Sequence, residues 1–508
     1  MTCPRATCSA PSALPDGVAA APVALAHRDV RRVIFGIMLA MFLGALEQTI
    51  VATALPTMGE AFGDFVNLSW VVTAYLLACT VATPLYGKLS DIHGRRVMLL
   101  VSVAVFTLAS VACALAPNLP VLALARGLQG LGGGGLISLS QTIIADVVSP
   151  RERGRYQAQI ATVFAVASVA GPVLGGALAQ HLHWSLIFWI NVPLGIAAYA
   201  VTDRALRRLP RHERRHRMDY PGALLMVSAN VCLLLALSWG GVRHPWGSVE
   251  ILGLLAAAAA LGAGFVWRMR VAAEPFLPLD LLCDPVVSRA IPAAFAAAGI
   301  MVGLSIFVPL YLELVRGLSA SQSGLGLIPL VGGVVCGATA SGRAMLRLAH
   351  YRLPALAGGV LAAAALAGLA LGAGGLRLDM VSALLALTGI GIGMILPVCT
   401  VSIQNAVEPH RMGTVTGIMT FFRQLGGATA VAVLGAILLA IAGLGGSGGI
   451  EMLGRGPGGP SLDAAFQVVF GAAALVVLAS LAFMATMVER PLRGAVRVAA
   501  DEGGLGAE

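Results

Sequence analysis

The chain has 508 residues, of which 58% are hydrophobic and only 11% charged. That is about half the charge density of a soluble protein, and no soluble arrangement buries so much apolar surface. The formal net charge of +9 invites a nucleic-acid reading, but the basic residues lie in short loops between long apolar runs, which excludes it.

Apolar runs of about twenty residues, the length that crosses a bilayer, fall at 33–56, 68–86, 97–116, 120–143, 157–180, 184–201, 221–239, 249–267, 290–312, 323–341, 353–371, 380–397, 413–442 and 464–488. They predict an all-α, polytopic membrane protein of fourteen spans with both termini on one side. Residues 1–32 read as a cytoplasmic tail; they lack a long apolar core beside a cleavage site, so no signal peptide is expected. With the N-terminus in the cytoplasm, only Arg243, Arg316, Arg377 and Arg455 of the 33 Lys and Arg fall outside, and Arg126 and Arg423 fall within spans. Lys and Arg resist translocation, so this bias supports both the span count and the orientation. Lys88 is the only lysine, which together with abundant Ala and Gly suggests a GC-rich bacterial genome and a bacterial plasma membrane.

The chain repeats itself once. The stretch from Asp146 through Pro150 to Gly154 aligns with that from Asn405 through Pro409 to Gly413, and Gly87-Lys88 aligns with Gly342-Arg343. The second copy is degenerate, with Leu346 where the first has Asp91. A parallel repeat of six spans is the trace of two transporter halves related by an axis along the membrane normal. The expected domains are a six-helix half at 33–202, a basic linker at 203–219, two inserted spans at 220–268, a second six-helix half at 269–488 and a tail at 489–508. The arginines at 204–217 serve as a topology anchor or as a contact for anionic lipid headgroups.

Chemistry concentrates at a few places. Glu47 lies inside the first span, where an acid is costly unless protonated, paired or facing water. A carboxyl that gains and loses a proton suits proton coupling, and the same carboxylate attracts cations; Gln48 follows it. Gly87-Lys-Leu-Ser-Asp91-Ile-His-Gly94-Arg95-Arg96 is a dense charged turn between two spans. Its glycines permit tight turns, and Asp91 can accept from guanidinium groups or from a helix N-terminus. Arg126 lies in the fourth span with Gln129. By helical rise it sits roughly 9 Å below the outer boundary and Glu47 roughly 14 Å, near enough to pair; a static structural arginine is the alternative. In the fifth span, Gly171, Pro172, Gly175 and Gly176 combine a helix-interrupting proline with small residues that admit a close neighbouring helix.

The turn at 87–96 resembles the signature loop between helices two and three of the major facilitator superfamily. The stretch from Leu46 to Pro56 resembles the first-helix motif of its fourteen-span drug:proton antiporter branch, with Glu47 where that branch usually has Asp. The Arg126-Gly-Leu-Gln129-Gly segment resembles the fourth-helix motif, whose arginine is implicated in proton transfer. Arg126 does not itself release a proton, so its expected role is to tune the acid. The Ala167–Gly176 segment resembles a fifth-helix motif of the antiporter branches, with Ala167 in place of the leading glycine, and is the warrant for export over uptake. The Trp184–Pro193 segment resembles the start of the sixth helix; Trp184 is expected either to line a pocket or to anchor at the interface.

The resemblance implies a multidrug or secondary-metabolite exporter driven by the proton gradient, rocking two halves about a midplane cavity. Gly87, Asp91, Gly94, Arg95 and Arg96 would latch the cytoplasmic side, and Glu47 with Arg126 would couple protons. Gln48, Gln129, Trp189, Asn191, Glu313 and Arg423 are candidates for the substrate cavity. A proton-linked importer and a non-transporting scaffold remain as alternatives. No cofactor besides the proton is expected, no metal site, no enzymatic activity and no nucleic-acid partner; lipophilic or cationic small molecules and membrane lipids are, for a monomer. Gly132–Gly135 lacks the Lys-Ser/Thr of a phosphate loop, His181 and His183 stand isolated, and the eight cysteines show no zinc spacing.

Overall fold

A computed structural model describes residues 27–492, apart from 65–66, 208–217, 242, 273, 278, 349, 373 and 442–459. Most of the basic linker, the Gly-rich loop with Arg455, and both tails lie outside the described residues. Within them there is no strand, and a single isolated bridge joins Gly240 to His244. Fourteen long helices follow in order: α1 His27–Ile50, α2 Trp70–His93, α3 Arg95–Ala114, α4 Leu119–Val147, α5 Pro150–His181, α6 Asn191–Leu206, α7 Tyr220–Trp239, α8 Val249–Val271, α9 Val287–Leu314, α10 Ile328–Arg347, α11 Arg352–Gly372, α12 Leu378–Ala406, α13 Met412–Ile441 and α14 Pro460–Ala485.

Thirteen stretches among the described residues are long and apolar enough to cross a membrane. The fourteenth helix, α4, is not among them although it has 29 residues. It carries Arg126, Gln129, Gln141 and the glycine run 132–135, and nearly all of it from Ala125 to Ala145 is buried. A helix sheathed by other helices needs no lipid-facing apolar surface. The glycines serve that packing. A Cβ on Gly132 would meet Phe106 N of α3 at 2.5 Å, and one on Gly134 would meet Cys79 O of α2 at 2.4 Å.

Two expected spans change geometry without breaking. The first tightens into a 3-10 turn at Ala52–Ala54 and runs on as Leu55–Phe62, with Pro56 in its first turn. The sixth starts at Leu186–Trp189 and passes through Ile190, which keeps helical dihedrals, into α6. Trp184 belongs to neither a pocket wall nor an interfacial rim. It is buried between Phe62 and Phe188, with ring centroids 5.1 and 6.3 Å away.

The apolar core divides as the repeat suggests. Buried residues of the first six helices form clusters around Ile37, Phe106 and Ile143, and around Ile50 and Phe188. A larger cluster around Ile300, Tyr311, Ile392 and Phe466 holds the last six. Of the inserted pair, α7 packs on α2 and α13, with Trp239 edge-on to Trp70 at 5.8 Å. Helix α8 leans on α7, and only its Ile251 and Met269 are buried. Asp219 caps α7 at Gly222 N and takes Arg268 of α8 at 3.1 Å, tying the pair together.

The halves meet through α2 against α13 and α5 against α10. At the side of the molecule bearing the 87–96 turn, Gly87 packs on Gly413 and Gly342 on Gly154, so closely that a Cβ on Gly87 would lie 2.5 Å from Gly413 O and one on Gly342 2.3 Å from Gly154 O. These are the four glycines that the internal repeat aligns in pairs, so the two contacts are one contact used twice. Leu124, Leu128 and Leu131 form one stripe of α4 and are 74, 54 and 39% exposed. Further along the same face, Ser138, Thr142 and Ala145 are buried, at the end where α13 of the other half packs on α4 and Ala145 joins that half's core. The structure is therefore closed on the basic side and open on the other.

Candidate functional site

Four helices of the first half converge on Glu47, which is fully buried on α1. Arg126 Nη1 of α4 donates to its Oε1, and Asn191 Nδ2 of α6 donates to its Oε2 at 2.5 Å. Arg126 is itself buried and spends its remaining donors locally. Its Nε reaches Val71 O at 2.9 Å, and Nη1 also reaches Gln129 Oε1 at 2.5 Å. Gln129 Nε2 then donates to Ser110 Oγ of α3 at 2.8 Å. The guanidinium lies 4.3 Å from the centroid of Tyr75 on α2 and 5.7 Å from that of Phe188. A buried charge is tolerable only when paired and hydrogen-bonded, and here both ions are. Two atoms are left over: Tyr75 Oη and Asn191 Oδ1 are buried with no hydrogen-bond partner among the described residues.

Glu47 and Arg126 thus meet, as their depths suggested. Two expected cavity residues do not line a cavity: Gln129 and Asn191 are fully buried inside this network. Sequence reasoning placed them by span and missed the face they turn inward. It also missed Tyr75 and Ser110, whose only signal was polarity within an apolar run. Gln48 and Trp189 are exposed and Glu313 partly so. Arg423 is partly exposed beside Cys399 of α12, and no carboxylate among the described residues pairs with it.

Helix α5 packs on α1 through two of the four residues expected to matter. A Cβ on Gly171 would meet Thr49 Oγ1 at 2.0 Å, and one on Gly175 would meet Ile50 O at 2.2 Å. Ala167 fills the place of the absent glycine: it is buried, and its carbonyl accepts from Thr49 Oγ1 at 2.9 Å. Pro172 is exposed within a continuous helix. Gly176 faces open space and has no packing role, correcting its place in that group.

The 87–96 turn forms a second site. Asp91 accepts from Gly413 N at 3.1 Å, Thr414 N at 2.7 Å and Thr414 Oγ1 at 2.6 Å. One half thereby caps the N-terminus of α13 in the other, where unpaired N–H groups and the helix dipole favour an anion. Arg95 holds Asp91 from the far side and also bonds Asp146 Oδ2 at 2.9 Å and Ser90 Oγ at 2.8 Å. Gly94, at φ +91°, supplies the left-handed turn between α2 and α3. Arg96 departs from the expected latch. It pairs with Asp203 of α6 at 2.5 Å and stays within its own half. In the degenerate copy Leu346 occupies the position of Asp91, so that seam closes on glycine packing without an equivalent carboxylate cap.

The fold is that of a two-half membrane transporter. The family profile of the Major Facilitator Superfamily matches residues 37–431, and the chain belongs to that superfamily, placing it among transporters rather than enzymes. An uncharacterised MFS-type transporter of Mycobacterium tuberculosis is 37% identical over 86% of the chain, which spans 63% of that relative's length. The multidrug transporter protein MdtP of Bacillus subtilis is 33% identical over 81% of the chain and 75% of its own length. The efflux pump FUS6 of Gibberella fujikuroi is also 33% identical, over 79% and 74% respectively. Among solved structures, a human organic anion transporter, MFSD10, aligns over 89% of the chain and 99% of its own with a TM-score of 0.62 at 17% identity. An outward-facing bacterial homologue of ferroportin aligns over 89% and 98% with a TM-score of 0.59 at 13% identity. Both likenesses concern the fold.

Proposed function

We propose that the protein is a proton-coupled antiporter that exports lipophilic or cationic small molecules across a bacterial plasma membrane, its basic side facing the cytoplasm. The observation that carries this reading is the buried Glu47–Arg126 pair with Asn191. An acid sealed in the bundle, with one cation as counter-charge, is a place where a single proton changes the charge balance. When Glu47 is ionised the pair is neutral and stays closed. When a proton from the outward-open side reaches Glu47, Arg126 keeps Gln129 and the Val71 carbonyl but loses its counter-charge. An uncompensated buried cation is strongly unfavourable, which favours a rearranged, inward-open bundle. The Asp91 cap and the two glycine seams hold the cytoplasmic side shut until then. The leucine stripe of α4 suits an apolar cargo; Glu313 and Gln48 offer polar contacts to a charged one.

The test is proton flux in proteoliposomes during addition of a panel of lipophilic cations and neutral antibiotics, with wild type beside Glu47→Gln. Substrate-dependent proton movement that disappears in Glu47→Gln is expected. Undiminished pH-driven transport in that variant refutes Glu47 as the carrier.

A further inference from the structure

Asn191 is bound at Glu47 in a way that serves only one of the acid's two states. Its Nδ2 donates to Glu47 Oε2 at 2.5 Å, which suits a carboxylate, while its Oδ1 is buried with no partner. Buried polar atoms are ordinarily satisfied, so this orphan needs a reason. A proton on Oε2 reverses that oxygen's role from acceptor to donor. The N–H of Asn191 would then face an O–H, donor to donor. Rotation of the amide by half a turn brings Oδ1 to Oε2, where it accepts the new proton and is itself satisfied. Among the described residues, the Asn191 amide is the group bonded to Glu47 that is free to do this. Arg126 has no acceptor, and Gln129 is held by Arg126 on one side and Ser110 on the other.

We propose that Asn191 is the positioning residue that reads the protonation state of Glu47, its side-chain amide turning over as the proton arrives. The inference rests on Glu47 being the proton carrier. Its location gives the turn a consequence. Asn191 lies in a helical run that continues from Leu186 through Ile190, whose backbone stays helical at φ −61° and ψ −27°. Two residues on, Pro193 has no N–H to bond the carbonyl four residues back, so a reoriented amide acts where the helix lacks one backbone bond and can bend. The titratable and charged groups facing the pair are Arg126 from α4, Tyr75 and Cys79 from α2 and Cys113 from α3. Within the described residues α5 contributes Ala167 and Gly171, which carry no charge.

The N–H donated to a carboxylate is charge-assisted and about twice as strong as the neutral bond that replaces it. Asn191→Leu, similar in size, removes both. It should therefore favour the protonated acid, moving the pH of half-maximal substrate-linked proton release to alkaline values by roughly one unit, a tenfold change in proton affinity. Asn191→Thr keeps a hydroxyl that both donates and accepts, and should restore the wild-type midpoint. A folded Asn191→Leu protein with an unmoved midpoint overturns the proposal. Infrared difference spectra on a pH jump, with amide-labelled asparagine in otherwise native protein, need no variant to fold. A side-chain amide band that shifts together with the Glu47 carboxyl band is expected, and an amide band that stays still overturns the inference. Loss of proton release in Glu47→Gln alongside either negative result sinks this inference alone, whereas release that persists in Glu47→Gln sinks the coupling role on which it rests.

Discussion

Gly342→Ala tests the closed side without altering a charge. A Cβ there would lie 2.3 Å from the Gly154 carbonyl oxygen and 2.7 Å from its carbon, against an ordinary carbon–oxygen contact of about 3.3 Å. The obstacle is backbone, so no side chain can swing away, and α10 and α5 must part by roughly 1 Å. Overpacking of this kind costs about 1–3 kcal/mol. The strain falls only on the conformation in which these glycines touch, so the same energy shifts the balance towards the state open on the basic side by about 5- to 150-fold. The assay is maleimide labelling of single cysteines in a cysteine-free background. Thr142→Cys sits on the buried end of the α4 face and reports the minor state; its labelling rate should rise by at least about fivefold. Leu128→Cys, on the exposed end, should label no faster and should slow as its state is depleted. Gly127→Ala, whose Cβ would meet nothing within 4 Å, is the control. Unchanged labelling at both positions in a folded Gly342→Ala protein would refute the argument that these glycines close the basic side.

Asp91→Asn should push the same equilibrium the same way. It removes the charge from three cross-half hydrogen bonds and turns an amide N–H towards donors, where bonds to a charged group contribute about 1.5–3 kcal/mol; Thr142→Cys labelling reads this as well. Arg126→Ala leaves Glu47 buried without its counter-ion and should destabilise the protein by about 3–5 kcal/mol, seen as a lowered melting temperature in detergent. Adding Glu47→Gln to that variant removes the lone charge and should recover much of the loss. If the two substitutions are additive, the pair is not the unit the geometry implies.

The network around Glu47 shows why part of a membrane transporter is legible in its sequence and part is not. Glu47 and Arg126 stand out because charge inside an apolar run is costly and needs a reason. Their depths follow from helical rise alone, and the structure brings them together. Gln129 and Asn191 were equally visible as polar residues, but depth does not say which way a side chain turns about the helix axis. That rotation is set by packing against α2, α3 and α1, and it carries both residues out of the cavity and into the acid's shell. Arg96 misleads for a similar reason. It follows Arg95 in the chain, yet successive helical residues point about 100° apart, so one arginine faces the opposite half and the other faces Asp203.

What the sequence by itself determined is what is local and periodic: the run of long apolar helices, the clustering of arginines in the loops between them, the duplicated half, the charged turn and the acid within a span. Even the degeneracy of the second copy, Leu346 for Asp91, was readable in advance. Only the tertiary structure decided that Gly87 meets Gly413 while Gly342 meets Gly154, that Asp91 caps a helix belonging to the other half, and that Asn191 comes to rest on Glu47. These contacts join residues far apart in the chain, and they depend on how helices are rotated and tilted against one another. Hydropathy and spacing record that a helix crosses the membrane, but they are blind to which neighbour each face meets, because that is fixed by the joint packing of every helix around it.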